Sequence, residues 1–158
     1  MKKLVLSLTI LFLLVSCQEN VKFNSPSLQG LKDNVFWRAV ESKAILSSNG
    51  SLLIQGYTSN EILSLKITSK LEQTFTLGIN ELDKVTYTLI DDNGTTLFST
   101  GLGIGDGQIV ITEYDVVNHT VTGTFRFNAE NSGSNPLAGP NLNFQEGVFY
   151  KVPVSSAP

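Results

Sequence analysis

The 158-residue chain has one cysteine, Cys17, and one histidine, His119. A single cysteine excludes any internal disulfide. A chain of this length buries about two-thirds of its unfolded surface, so it forms a core without covalent staples. With one cysteine and one histidine, a zinc site of four His/Cys ligands is excluded by counting. Any Ser-His-Asp or Cys-His nucleophile must be built on His119, which stands in the turn-like Asn118-His119-Thr120 with no local partner pattern. Positive charge is also scarce: 11 Lys and Arg against 14 Asp and Glu, scattered along the chain. That leaves no basic footprint for nucleic acid and no polybasic grip on anionic lipid. Long apolar runs are nearly absent too. The one run, Leu4–Val15, has twelve residues and as a helix spans about 18 Å, short of a bilayer core of about 30 Å.

What is present begins with that run. Lys2 and Lys3 precede it, Ser7 and Thr9 interrupt it, and it closes on Leu14-Val15-Ser16-Cys17. A basic start, a short apolar stretch and a small-residue end make a secretory signal peptide over residues 1–16. The closing tetrapeptide resembles the bacterial lipobox. The resemblance implies a diacylglyceryl group on the Cys17 thiol, cleavage between Ser16 and Cys17, and acylation of the new amino group. A thiolate is the strong nucleophile in this neighbourhood. Two or three acyl chains hold a protein at a membrane without a transmembrane helix. The expected location is therefore the cell envelope, with the membrane as partner through acyl chains on Cys17. Gln18, rather than the Asp that resembles an inner-membrane retention signal, follows the cysteine, which favours the outer membrane. Removal of residues 1–16 leaves 142 residues with nine basic against fourteen acidic side chains, a net charge of −5.

Residues 17–30 are polar and turn-rich and read as a lipidated flexible tether; residues 31–158 read as one all-β domain. From Val35 the chain alternates with the period of half-buried strands. Val121, Gly123, Phe125, Phe127 and Ala129 share one face, and Thr120, Thr122, Thr124, Arg126 and Asn128 the other. Val85, Tyr87 and Leu89 alternate with Thr86 and Thr88, and Phe75, Leu77 and Ile79 with Thr74, Thr76 and Gly78. Val148, Tyr150, Val152 and Val154 alternate with Phe149, Lys151 and Pro153. Asn49-Gly50 and Asn93-Gly94 mark hairpins, because both residues accept positive φ. Nine or ten strands are predicted, at about 35–40, 43–47, 51–57, 61–68, 74–79, 85–90, 95–100, 107–114, 119–129 and 146–154. The architecture expected is a single antiparallel β-sandwich or flattened barrel. Glu61–Gln73 carries both periods: Leu63, Ile67 and Leu71 at helical spacing, Leu63, Leu65 and Ile67 at strand spacing. Its Ile and Thr content favours a strand. Asn131–Asn143 reads as a long exposed loop and a possible contact surface.

Little in this sequence carries chemistry. Asp91–Thr95 lacks the ligand spacing of an EF-hand and reads as a hairpin turn. Gly101–Gly107 lacks the Gly-Lys-Ser/Thr and following helix of a phosphate loop and reads as a turn or bulge. Glu113, Asp115 and Glu130 end or follow strands, and nothing singles them out as a hydrolytic pair. Trp37, beside Phe36, reads as a core residue rather than a sugar platform. No catalytic residue, cofactor or metal is expected, and the protein reads as non-enzymatic.

Gly107–Glu113 (GQIVITE), His119–Phe127 (HTVTGTFRF) and Glu146–Val152 (EGVFYKV) resemble the recurring motifs of a family of lipoproteins of Bacteroidetes-type bacteria, classed as a domain of unknown function. The resemblance covers most of the mature chain and implies a lipid-anchored β domain with no assigned activity. Its motifs are structural, so no site residue is carried over beyond Cys17. The leading expectation is a binding or interaction module with a protein or glycan partner. The alternatives are a glycan-binding accessory protein and a small-ligand carrier. A carrier would line an interior barrel cavity with several of Phe75, Tyr87, Phe125 and Phe127; an interaction module would have a solid core.

Overall fold

The computed structural model describes residues 26–157 except Asn93, Ser134, Pro136 and Leu137. The signal segment, Ser16, Cys17 and most of the tether lie outside the described residues. The fold is all-β, with eleven strands among the described residues: β1 Ser27–Lys32, β2 Val35–Arg38, β3 Glu41–Leu46, β4 Leu52–Tyr57, β5 Glu61–Ile67, β6 Thr74–Leu77, β7 Lys84–Asp91, β8 Gly94–Ser99, β9 Asp106–Asp115, β10 Thr120–Asn131 and β11 Asn141–Ser156.

All ten predicted strands are present, and the ambiguous segment is β5, with Leu63, Leu65 and Ile67 buried. Leu71, the residue that completed the helical spacing, is exposed. The eleventh strand is β1. Its residues Ser27–Gly30 fall in the stretch read as tether, but they pair with β2 on one side and β11 on the other. The turn that makes this possible is Asp33-Asn34, both at positive φ (48° and 65°). Two left-handed residues between Lys32 and Val35 form a tight two-residue hairpin loop of the kind Asn and Asp accept.

The strands join in the order β2-β1-β11-β3-β4-β5-β7-β8-β10-β9-β6, with a further pairing between β10 and β11. That pairing closes a circuit. Strand β11 pairs with β10 over most of its length, and its last residues Val154–Ser156 turn to β3. Strand β10 pairs with β9 and β11, and its last residues Glu130 and Asn131 turn to β8. The result is a flattened barrel. One layer is β2-β1-β11-β10-β9-β6, the other is β3-β4-β5-β7-β8, and the two are stitched at opposite corners by the ends of β11 and β10. One expectation needs correction here: the β11–β3 pair is parallel, so the sheet is not wholly antiparallel.

Long strands serve two layers only if they coil, and β11 coils through bulges. Its register against β10 slips twice, and Glu146 and Lys151 lie near the slips at positive φ (51° and 47°). The Lys151 amide left over by the second slip donates to Thr122 Oγ1 at 3.1 Å. The bulges also break the predicted alternation of this strand. Phe149 and Val152 are both fully buried, while Val148, Tyr150 and Val154 are only partly so.

The space between the layers is filled by side chains. Phe144 of β11 is the hub: its ring lies 5.2 Å from Phe127, 5.8 Å from Phe125, 6.2 Å from Tyr87 and 5.4 Å, edge-on, from Trp37. Leu28, Ile54, Leu63, Leu65, Val85, Ile109 and Val121 complete the core. Ile79, predicted to continue the face of Phe75 and Leu77, is exposed, because β6 ends at Leu77.

Candidate functional site

Two polar constellations stand out against this apolar interior. The first ties the layers together at one end. Thr58 accepts the Glu61 amide on its hydroxyl at 3.0 Å, so the tight β4–β5 turn fixes the start of β5. The Glu61 carboxylate then accepts from Lys32 of β1, from the indole of Trp37 of β2 and from the phenol of Tyr87 of β7; Thr58 Oγ1 donates at 3.3 Å. Lys32 also donates to the Tyr87 hydroxyl at 2.8 Å and lies 5.1 Å from that ring's centre. Burial pushes the Glu61 carboxyl up, but hydrogen bonds from Lys32, Tyr87 and Trp37, with the Lys32 charge, outweigh it and hold the group below the usual carboxylate range. Burial first, then the Glu61 carboxylate, raises the Tyr87 phenol well above its ordinary value. Lys32, Trp37 and Tyr87 all aim donors at the one Glu61 carboxylate, which links β1, β2 and β7 to β5. The arrangement is a brace. Trp37 is therefore a core residue with a polar tip, as its sequence context suggested. The brace itself was not readable, because the pairs that Lys32, Trp37, Glu61 and Tyr87 bond across the layers lie 24 to 55 residues apart.

The second constellation is open to solvent. On the outer face of β9-β10-β11 the polar halves of the alternating strands form rows. Asn128 donates to Asp106 Oδ1 at 2.9 Å, and Asn143 donates to Asn128 Oδ1 at 2.6 Å. The Asn143 amide donates to Asp33 Oδ1 at 2.9 Å, which extends the row to the β1–β2 turn. A parallel row runs through Gln108 and Arg126, whose guanidinium donates to Gln108 Oε1 at 3.3 Å. Two shallow cavities of about 340 and 270 Å³ lie along these rows and share Arg126 and Glu146. Together they make a groove across the strands, whose polar lining includes Arg126, Asn128, Asn143 and Glu146 beside Phe127 and Val148.

The residues singled out in the sequence are dispersed. His119 is exposed at positive φ in the β9–β10 turn, where its carbonyl accepts from Val154. Asp115 caps the same turn, accepting from the Val117 and Asn118 amides at 2.9 Å and from the Asn118 side chain, whose hydrogen bond is the main reason its carboxyl is held low. Glu130 lies at the other end of β10 and accepts from the Gly105 amide at 3.2 Å; Glu113 faces Thr122 across the ladder. Asp91 and Gly94 close a hairpin, and the glycine-dense stretch from Gly101 makes a turn with a Gly101–Ile104 bridge before β9 begins at Asp106. The long loop after β10 is held against β8, with Ser132 donating to Leu97 O and Asn135 to Thr96 Oγ1. Among the described residues, no group of three His, Cys, Asp or Glu side chains could hold a metal ion, and no helix is long and apolar enough to cross a membrane.

The flattened barrel, with its interior packed by aromatic and aliphatic side chains and its polar rows on the outer face of β9-β10-β11, defines an all-β domain. A model of the family described as Domain of unknown function (DUF6252) matches residues 24–153, and the chain belongs to that family. The match spans β1 to most of β11, the stretch read as tether included where it forms β1. No curated protein matches the chain, and no solved structure does.

Proposed function

We propose that this chain is a lipid-anchored protein of the cell envelope, held at the outer membrane by acyl chains on Cys17. In this reading its β domain is a non-enzymatic binding module whose contact surface is the groove over β9-β10-β11. The observation that carries the reading is the contrast between the two sides of β10. Inward, Phe125 and Phe127 pack ring against ring with Phe144. Outward, Arg126 and Asn128 stand in hydrogen-bonded rows along a groove. Packing of Tyr87, Phe125 and Phe127 ring against ring speaks against the carrier alternative, which requires those rings to line a cavity.

The groove's chemistry favours a hydroxyl-rich ligand. Side-chain amides, carboxylates and one guanidinium repeat at the strand spacing of about 4.8 Å, each able to donate or accept. A glycan presents hydroxyls at comparable intervals, so glycan binding is the finer reading. Calorimetric titration of cell-envelope oligosaccharides tests it. Binding that is lost in Asn128→Ala and Arg126→Ala, with unchanged melting temperature, is the expected result. Binding unaffected by both substitutions removes the groove from the reading. The anchor is tested separately by mass spectrometry of the membrane fraction, where the N-terminal peptide is expected to begin at Cys17 and to carry acyl mass. A peptide that begins upstream with a bare thiol overturns it.

A further inference from the structure

The β9–β10 turn exposes two adjacent valines, Val116 at 66% and Val117 at 87%. Exposed valines on a floppy loop would mean little, but this turn is rigid. Asp115 clamps it through two backbone amides and Asn118, and the Val154 amide donates to the His119 carbonyl beneath it. The valines are thus held outward by a built structure.

Three features surround them. First, Pro26, where the described chain begins, lies on the same rim, lining a cavity with Asp115, Asn118 and Lys151. Eight residues lie between Cys17 and Pro26, a reach of about 30 Å at full extension. Second, the collar sets lysines over aromatic rings: Lys70 lies 4.8 Å from the Tyr114 ring centre and shares a cavity with Val116, and Lys151 lies 5.5 Å from the Tyr150 ring centre. Third, Leu71, next to Lys70, is another exposed apolar side chain, and the Gln73 carbonyl holds this segment against Ile111 of β9. The acidic groups nearby are Glu72, Glu113 and Asp115. The Asp115 carboxylate is committed to the turn.

Apolar tips ringed by tyrosines and lysines suit a lipid–water boundary, where rings sit at headgroup level and lysine stems extend past apolar surface to keep the ammonium in water. We infer that the β9–β10 turn docks on the lipid surface that carries the acyl chains of Cys17, with Val116 and Val117 entering the bilayer boundary. The inference rests on the proposed anchor, since the short chain between Cys17 and Pro26 brings this end of the barrel to the membrane. The anchor confines the domain near lipid, and the turn then fixes which end faces it. Ser59, in the β4–β5 turn, lies at the opposite end: Tyr57 and Glu61 flank it, whereas the other ends of β4 and β5 lie beside Leu46, which lines the cavity with Val116 and His119.

The test uses the full chain with Cys17 acylated, so that an introduced cysteine is the one free thiol. Val117→Cys and Ser59→Cys are labelled with an environment-sensitive fluorophore and reconstituted in phosphatidylethanolamine–phosphatidylglycerol vesicles. Mass spectrometry confirms the acyl groups in the same samples, and thermal melting confirms the fold. The expected outcome is a blue shift and quenching by brominated lipid at position 117, with neither at 59. Acylated protein that shows no shift at 117, or equal shifts at both positions, overturns the docking while leaving the anchor intact. Absence of acyl mass overturns the anchor and the docking with it.

Discussion

Glu61 is the residue on which the two layers lean most heavily through polar contact. Its carboxylate joins β5 and β7 of one layer to β1 and β2 of the other through Lys32, Trp37 and Tyr87. Because hydrogen bonding holds the folded-state carboxyl below its ordinary value, the sign of the pH dependence follows. The contribution is present in full above the unfolded carboxyl's pKa of about 4.3, and it fades as pH falls through the lower folded value. Glu61→Gln keeps the shape but removes the charge, and it leaves Lys32 and the Trp37 and Tyr87 donors with a weaker acceptor. The expected cost at pH 7 is about 1–3 kcal/mol. Urea unfolding of both proteins at pH 7 and pH 3 checks it: the gap between them narrows in acid. A gap that is constant with pH would show that the charge contributes nothing.

At the scale of the element, β10 and β11 form the spine, and their glycines let them touch. A Cβ on Gly123 would overlap the Val110 carbonyl oxygen and the ring of Phe149, its cross-strand neighbour; a Cβ on Gly147 would meet the Phe125 carbonyl and ring. Each ring covers the bare backbone opposite. One obstacle at Gly123 is backbone and the other is the tip of a fully buried ring, so Gly123→Ala forces the strands apart at the coil. The expected loss exceeds about 3 kcal/mol, read as a fall in the urea midpoint, whereas Gly50→Ala has open space around it and carries only the strain of its positive φ. Ladders like β10 were legible from sequence because alternation survives wherever register is regular; all five residues assigned to its inner face are buried. Strand β11 was legible in position and not in facing, because the period shifts at Glu146 and Lys151, two residues that adopt positive φ without being glycine or asparagine. Strand β1 was hidden by a polar turn, Asp33-Asn34, that lacks the Asn-Gly signal. The brace at Glu61 had no signal at all, since period and composition report faces, and pairing across layers depends on topology. The groove was half legible: Arg126 and Asn128 were assigned to the outer face, but not the neighbours that complete it.

For the whole molecule, closure is the property that matters, and it depends on two small joints. At one corner Glu130 and Asn131 pair with Ser99 and Phe98; at the other Val154–Ser156 pair in parallel with Ala44–Leu46. Removing residues 154–158 opens the second joint and exposes the edge of β3, while the spine and groove of β9-β10-β11 keep their pairings. Three ladder positions at about 1 kcal/mol each put the expected destabilisation near 3 kcal/mol. Hydrogen exchange locates it: the amides of Ala44 and Leu46, which face β11, lose protection to the level of local opening, while that of Ile45, which faces β4, and those of β9 and β10 retain theirs. The Val154 amide also supports the β9–β10 turn through the His119 carbonyl, so the same truncation loosens the lipid-facing end proposed above. Ligand binding at the groove should therefore survive a change that weakens the fluorescence signature at position 117. Loss of both together would mean that the barrel behaves as one cooperative body in which neither surface can be assigned apart from the fold.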